Sequence, residues 1–178
     1  MQKKVLAAFL VMMVAAVFAN GFQSSAEWVR YTSNEGRYSA LMPPQPKLSS
    51  QEAAAPGGEK FTQYMAQVAD SNSLYIVGYF DYAPSMVFSL DKARDGMVAA
   101  VQGTLLKEEA ISLGGHSGRE FKVSAKNGNF DLFVRVRIYE IGRRIYVIQH
   151  MFEKSSDSPA VAEKTNRFFD SFKVTEAR

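Results

Sequence analysis

Glu120, Arg135 and His150 are the side chains whose types and spacing come nearest to a chemical site. A carboxylate, a guanidinium and an imidazole in one row could move a proton or hold an anion. The row has no hydroxyl nucleophile and no second carboxylate, so acid/base catalysis is the least favoured reading of it. Gly115-His116-Ser117-Gly118 invites comparison with serine hydrolases. A nucleophile elbow would need glycine where this chain has Arg119, and it would need a strand-to-helix turn, whereas the flanks here both read as strands. The stretch reads as a hairpin loop. Metal binding finds no support: the only histidines are His116 and His150, there is no cysteine, and Asp81, Asp91 and Asp95 form no calcium loop. No phosphate-cradling glycine motif opens a helix. Neither a catalytic set, a metal site nor a cofactor is expected.

The row depends on two turns. Asn127-Gly128 is a strong two-residue hairpin signal and pairs Lys126 with Asn129. Counting back sets Val123 against Leu132, Phe121 against Val134 and Glu120 against Arg135. Gly142-Arg143 reads as a second two-residue turn with glycine first. It pairs Ile141 with Arg144, Tyr139 with Tyr146 and Arg135 with His150. Side chains alternate along a strand, so two faces follow. Phe121, Val123, Leu132, Val134, Val136, Ile138, Ile145, Val147 and Met151 make a core face. The opposite face, mixed cationic and aromatic, carries Glu120, Lys122, Phe133, Arg135, Arg137, Tyr139, Tyr146, Ile148, His150 and Phe152. The plain reading of this second face is a cross-strand charge pair, worth about 0.2–1 kcal/mol. The functional reading is a binding face centred on Arg135, Arg137, Tyr139 and Tyr146, with Glu120 and His150 beside them. The terminal helix or the 43–59 segment could instead cover it.

The rest of the chain supplies the frame. Trp28–Thr32 and Tyr38–Met42 read as a hairpin around Asn34-Glu35-Gly36. Residues 43–59 lose all periodicity, with Pro43, Pro44, Pro46, Pro56, Gly57 and Gly58, and are expected to form a long mobile loop. Phe61–Val68 and Leu74–Tyr82 read as strands turned by Asp70-Ser71-Asn72. A helix is expected from Leu90 to Gln102, capped by Ser89, with Asp91 in its first turn. The strands Leu105–Leu113, Arg119–Ala125, Phe130–Ile141 and Arg144–Phe152 follow. A last helix starts at Ser158, with Pro159 at its first position and Val161, Thr165, Phe168, Phe169 and Phe172 as its buried stripe. Strands joined by tight hairpins, with two helices between and after them, predict an α+β fold: a mainly antiparallel sheet packed with helices.

The first 26 residues read as a secretory signal peptide: Lys3 and Lys4, then the apolar run Val5–Phe18, then small and polar residues. The run is shorter than the roughly 20 residues of a membrane-spanning helix. Ser24 and Ala26 satisfy the small-residue rule for cleavage after Ala26; Val17 and Ala19 satisfy it for an earlier cut. A single domain from 27 to 178 is expected, exported to a periplasmic or extracellular space, with no membrane span once the signal is removed. The formal net charge is +3. Removing Lys3 and Lys4 from the 21 basic residues leaves 19 against 18 acidic ones, which is no footprint for nucleic acid.

Several stretches together resemble the PsbP-like fold: Trp28 with Tyr31, Glu35-Gly36-Arg37-Tyr38 running into Leu41-Met42-Pro43, Gly114-Gly115 with Gly118, Arg144-Ile145-Tyr146-Val147, and Phe168-Phe169-Asp170-Ser171-Phe172. The resemblance implies an antiparallel sheet between helical layers, an α/β/α sandwich, and a role in binding proteins or ligands. It carries no site residue with it. The leading expectation is therefore an exported, non-enzymatic interaction domain whose partner is another envelope or extracellular protein. A carrier of a small apolar or amphipathic ligand is the alternative, and an enzyme using Glu120, Arg135 or His150 stands third.

Overall fold

A computed structural model describes residues 4–6, 27–55 and 58–175. Its twelve strands are β1 (Lys4–Leu6), β2 (Val29–Ser33), β3 (Tyr38–Met42), β4 (Lys47–Ala54), β5 (Lys60–Asp70), β6 (Ser73–Asp81), β7 (Met86–Phe88), β8 (Thr104–Leu113), β9 (His116–Asn127), β10 (Phe130–Ile141), β11 (Arg144–Glu153) and β12 (Lys173–Val174). The helices are α1 (Leu90–Ala100) and α2 (Pro159–Ser171). Most of the segment read as a signal peptide, including both candidate cleavage sites, lies outside the described residues. Of that segment only the Lys4–Leu6 backbone is described, and it pairs in parallel with β7.

A seven-stranded sheet in the order β4-β5-β6-β11-β10-β9-β8 forms the centre, and every neighbouring pair in it is antiparallel. A small sheet, β12-β3-β2, lies against one face. The fold is α+β, as the pattern of elements predicts. Ser89 caps α1 by accepting from the Lys92 N–H, and Ser158 caps α2 by accepting from the Val161 N–H. Each cap satisfies a backbone donor that has no partner inside its helix.

The sheet has a core on each side. Phe121, Val123, Val134, Val136, Ile138, Ile145, Val147 and Met151 lie in the first, under Ala93 and Met97 of α1. Leu132 is buried as well. The face expected to be cationic and aromatic forms the second core. There Tyr75, Val77, Tyr79, Tyr139, Tyr146 and Ile148 pack against Tyr38, Ala40 and Met42 of β3 and against Phe168, Phe169 and Phe172. Apolar residues at α2 spacing therefore meet the aromatic positions of the sheet, and both strips leave water together.

Two expectations need correction. Residues 43–59 are not one long loop, because β4 occupies Lys47–Ala54 and pairs with β5 along its length. The side chains of β4 are largely polar and exposed. An edge strand held by ladder hydrogen bonds to one neighbour needs no alternating apolar pattern, so periodicity could not reveal it. The β9–β10 register also differs by two residues. Glu120 lies opposite Arg137 and Lys122 opposite Arg135, while Phe121 faces Val136. The turn residues are Gly128 and Asn129, with positive φ at Gly128 (57°). Glycine thus takes the first central position of the turn, the place a type II′ turn reserves for it. A two-residue slip preserves the alternation, which is why the core face survives the change intact. The β10–β11 register is as read from Gly142-Arg143, with Ile141 opposite Arg144, Tyr139 opposite Tyr146 and Arg135 opposite His150.

Candidate binding site

Glu120 sits near the centre of β9 and is almost fully buried. One carboxylate oxygen accepts from the Arg135 guanidinium and the other from Arg137 Nε at 2.6 Å. Both arginines lie on β10, two residues apart, so they share a face and straddle the carboxylate. They continue upward to α2. Arg135 donates to Asn166 Oδ1 at 3.2 Å, and Arg137 donates to Asp170 Oδ1 at 2.9 Å. Both guanidiniums also face the Phe169 ring, at 5.4 and 5.0 Å. Burial pushes the Glu120 carboxyl up, but the hydrogen bonds and charges of the two arginines outweigh it and hold the group below its usual range. The cluster reads as a clamp between sheet and helix, not as an open anion site.

His150 lies deeper, fully enclosed between sheet and helix. Its ring stacks on Tyr75, with centroids 4.3 Å apart and planes 9° apart, and its Nδ1 lies 2.8 Å from Thr165 Oγ1. The Thr165 hydroxyl donates to the Val161 carbonyl, so it must accept from His150 Nδ1–H. The imidazole is therefore the neutral Nδ1–H tautomer, and Nε2 is buried without a partner. Burial first, then the charges of Arg135 and Lys164, lower its pKa to about 3. The unfolded chain, titrating near 6.5, takes up a proton that the folded chain refuses. The His150 contribution to stability should therefore be constant above pH 6.5 and fall with acidification towards pH 3. The slope is at most about 1.4 kcal/mol per pH unit. The Glu120 contribution is present above its ordinary value of 4.5 and is lost only below it, so the interval between 6.5 and 4.5 isolates His150. Urea titrations across that interval should lose roughly 2–3 kcal/mol in the parent. The loss should largely vanish in His150→Gln; an unchanged slope would show that another group carries it.

The six residues of the expected binding face are thus brought together, but they are not offered to solvent. Tyr139, Tyr146 and His150 are buried, Glu120 nearly so, and α2 covers Arg135 and Arg137. Tyr146 donates its hydroxyl to the Gly36 carbonyl at 2.8 Å, which ties the central sheet to the β2–β3 turn. Of the two arrangements open to Arg135 and Arg137, the covered one is found: the apolar stripe of α2 packs on the aromatic positions of this face.

Two of the openings among the described residues lie beside this second core. A cleft of about 250 Å³ runs along the seam between β9 and α2, with Lys107, Lys122 and Arg135 at its rim over Phe121 and Phe152. Its cations already have partners: Lys122 with Asp157, Lys107 with Glu109, Arg135 with Glu120. A second groove, of about 280 Å³, lies where the small sheet overhangs β4 and β5. Tyr31, Tyr38, Tyr64 and Tyr79 line it, with Glu35 and Leu48 among its other residues. Tyr64 stacks on Tyr79, with centroids 5.0 Å apart and planes 15° apart. In the sequence Tyr31 and Tyr38 are named only as part of a resemblance, and Tyr64 and Tyr79 are not singled out. The β5–β6 turn carries the missing signal: pairing Asp70 with Ser73 across Ser71-Asn72 sets Tyr64 opposite Tyr79.

A seven-stranded antiparallel sheet with helices on both faces and a small sheet beside the terminal helix is the PsbP-like fold. The solution structure of cyanobacterial PsbP (CyanoP) from Synechocystis sp. PCC 6803 superposes with a TM-score of 0.57 at 14% identity, over 89% of this chain and 98% of that one. LpqN of Mycobacterium tuberculosis, involved in cell envelope biogenesis, matches with a TM-score of 0.46 at 11% identity, over 88% and 83% of the two chains. PA94 of Pseudomonas aeruginosa, a protein of unknown function and putative regulator, matches with a TM-score of 0.38 at 15% identity, over 79% and 94%. No family model and no curated protein sequence matches the chain. Among the described residues, no helix is long and apolar enough to cross a membrane and no group of acidic, histidine or cysteine side chains could hold a metal ion.

Proposed function

We propose that the protein is an exported, non-catalytic binding domain whose partner is another envelope or extracellular protein. The observation that carries this reading is the consumption of Glu120, Arg135, Arg137 and His150 by the fold. The carboxylate is held by two arginines, the arginines are engaged by α2, and the imidazole is neutral and enclosed. A general acid or base must reach a substrate proton in a plausible pose. The resemblance to PsbP, now supported by the shared fold, points the same way.

The test is affinity capture of envelope extract on the exported chain, followed by assays for turnover of extract components. A partner captured saturably by the folded protein, and not by acid-unfolded protein, is the expected result. Turnover that disappears in Glu120→Gln or His150→Gln while the fold persists would overturn the reading.

A further inference from the structure

We propose that the tyrosine groove between the small sheet and β4–β5 docks an extended, proline-bearing peptide segment of the partner, with a basic residue next to its prolines. The proposal rests on the binding reading above and gives it a location and a ligand chemistry.

The groove is built rather than incidental. Arg144 reaches Tyr79 from β11 and Tyr64 reaches it from β5, on the two sides of β6. Arg144 lies 4.8 Å from the Tyr79 ring centre and is itself gripped by both carboxylate oxygens of Asp81, each at 2.7 Å. The sequence Asp81, Arg144, Tyr79, Tyr64 therefore forms a fixed stack that ends on an open phenol. Tyr64 is 40% exposed, and Leu48 beside it is 62% exposed. Half-buried Tyr31 forms the facing wall, with the buried Tyr38 ring behind it, 6.1 Å away.

The chemistry of the lining selects the occupant. A polyproline helix has no internal hydrogen bonds, so its carbonyls point outward and want donors. Grooves lined by aromatic rings dock such segments, with the rings against the prolines. The hydroxyls of exposed Tyr64 and half-buried Tyr31 can donate to the carbonyls. Glu35 supplies the charge. It is exposed, and among the described residues no cation pairs with its carboxylate. Its charge is felt inside the groove: burial raises the phenols of Tyr31 and Tyr79, and Glu35 raises both further. An unpaired carboxylate at the rim of an aromatic groove complements an arginine or lysine flanking the prolines.

The probe is a synthetic peptide carrying Pro-Pro-Leu-Pro-Arg, titrated into the isotope-labelled exported chain by NMR. Controls are the same peptide with alanine for proline and a mixture of neutral oligosaccharides. Saturable shifts at Tyr31, Tyr64, Ala66 and Tyr79, seen with the proline peptide and not with the controls, are expected. Tyr64→Ala should weaken binding at least about tenfold, equivalent to about 1.4 kcal/mol. Glu35→Gln, a surface change that leaves the fold in place, should weaken it and flatten its salt dependence. The proposal is overturned if both variants bind as the parent does, if the shifts map elsewhere, if only the oligosaccharides move these signals, or if they move with protein concentration alone and a second copy fills the groove. If both variants still capture the envelope partner, the groove assignment fails while the binding reading stands. A parent that captures nothing sinks the binding reading itself.

Discussion

Phe168→Ala is expected to lower the free energy of unfolding by about 3–5 kcal/mol, the largest loss from any single truncation considered for this fold. Phe168 is fully buried at the centre of the α2 stripe. Its ring meets Tyr75 edge-on at 5.3 Å and 83°, and Phe169 at 5.8 Å. Removing it takes away the transfer free energy of a ring and leaves a void. Rigid β-sheet on one side and helix on the other prevent that void from closing. Urea unfolding should show a lower midpoint with an unchanged slope, since the same surface is exposed on unfolding. A loss under about 1 kcal/mol would mean that α2 does not close the second core, and would return the cationic-aromatic face to solvent.

Glu120→Ala is expected to cost about 3 kcal/mol. Breaking a buried ion pair by deleting one partner is costly because the remaining charge stays desolvated. Here one deletion strands two guanidiniums. Their side chains are 21% and 19% exposed, which places the loss at the lower end of the range for buried pairs. The double change Arg135→Ala with Arg137→Ala should also destabilise, since it leaves the Glu120 carboxylate buried without a partner. The comparison separates two roles for these arginines. Structural clamps lose stability together and leave capture by the folded fraction unchanged, whereas partner contacts lose capture and keep stability.

Much of this organisation was legible because local rules and tertiary demands agree. Ser89 and Ser158 announce their helices by capping chemistry, and Gly142-Arg143 fixes a register because its glycine stands first in the turn. Asn127-Gly128 misled for the same reason. Either Asn-Gly or Gly-Asn could be the central pair of a two-residue turn, and only the packing of the strands chose the second. The side-chain faces were immune to that error, whereas the partner assigned to Glu120 was not. β4 stayed hidden because ladder hydrogen bonds leave no trace in side-chain polarity. The destination of the Arg135–Arg137 face was likewise undecidable from strand patterns alone. The α2 stripe was readable, but its address on the sheet is a matter of three-dimensional packing. The tyrosine groove joins β2 and β3 to β5 and β6, and no short-range pattern connects a pair of sheets.

The pairing of β12 with β3 has a consequence for how the molecule is made. Lys173 lies opposite Ser39, and the Thr175 N–H donates to the Arg37 carbonyl, so one of the first described strands is completed by the last. That contact closes a loop containing nearly the whole described chain, and Phe168, Phe169 and Phe172 join the second core in the same stretch. Contacts so distant in sequence are entropically late to form. The three-stranded sheet can therefore be finished only after Val174 has been made. Until then the nascent chain keeps an unsealed aromatic surface on the sheet, where Tyr75, Tyr79, Tyr139 and Tyr146 wait for the terminal helix.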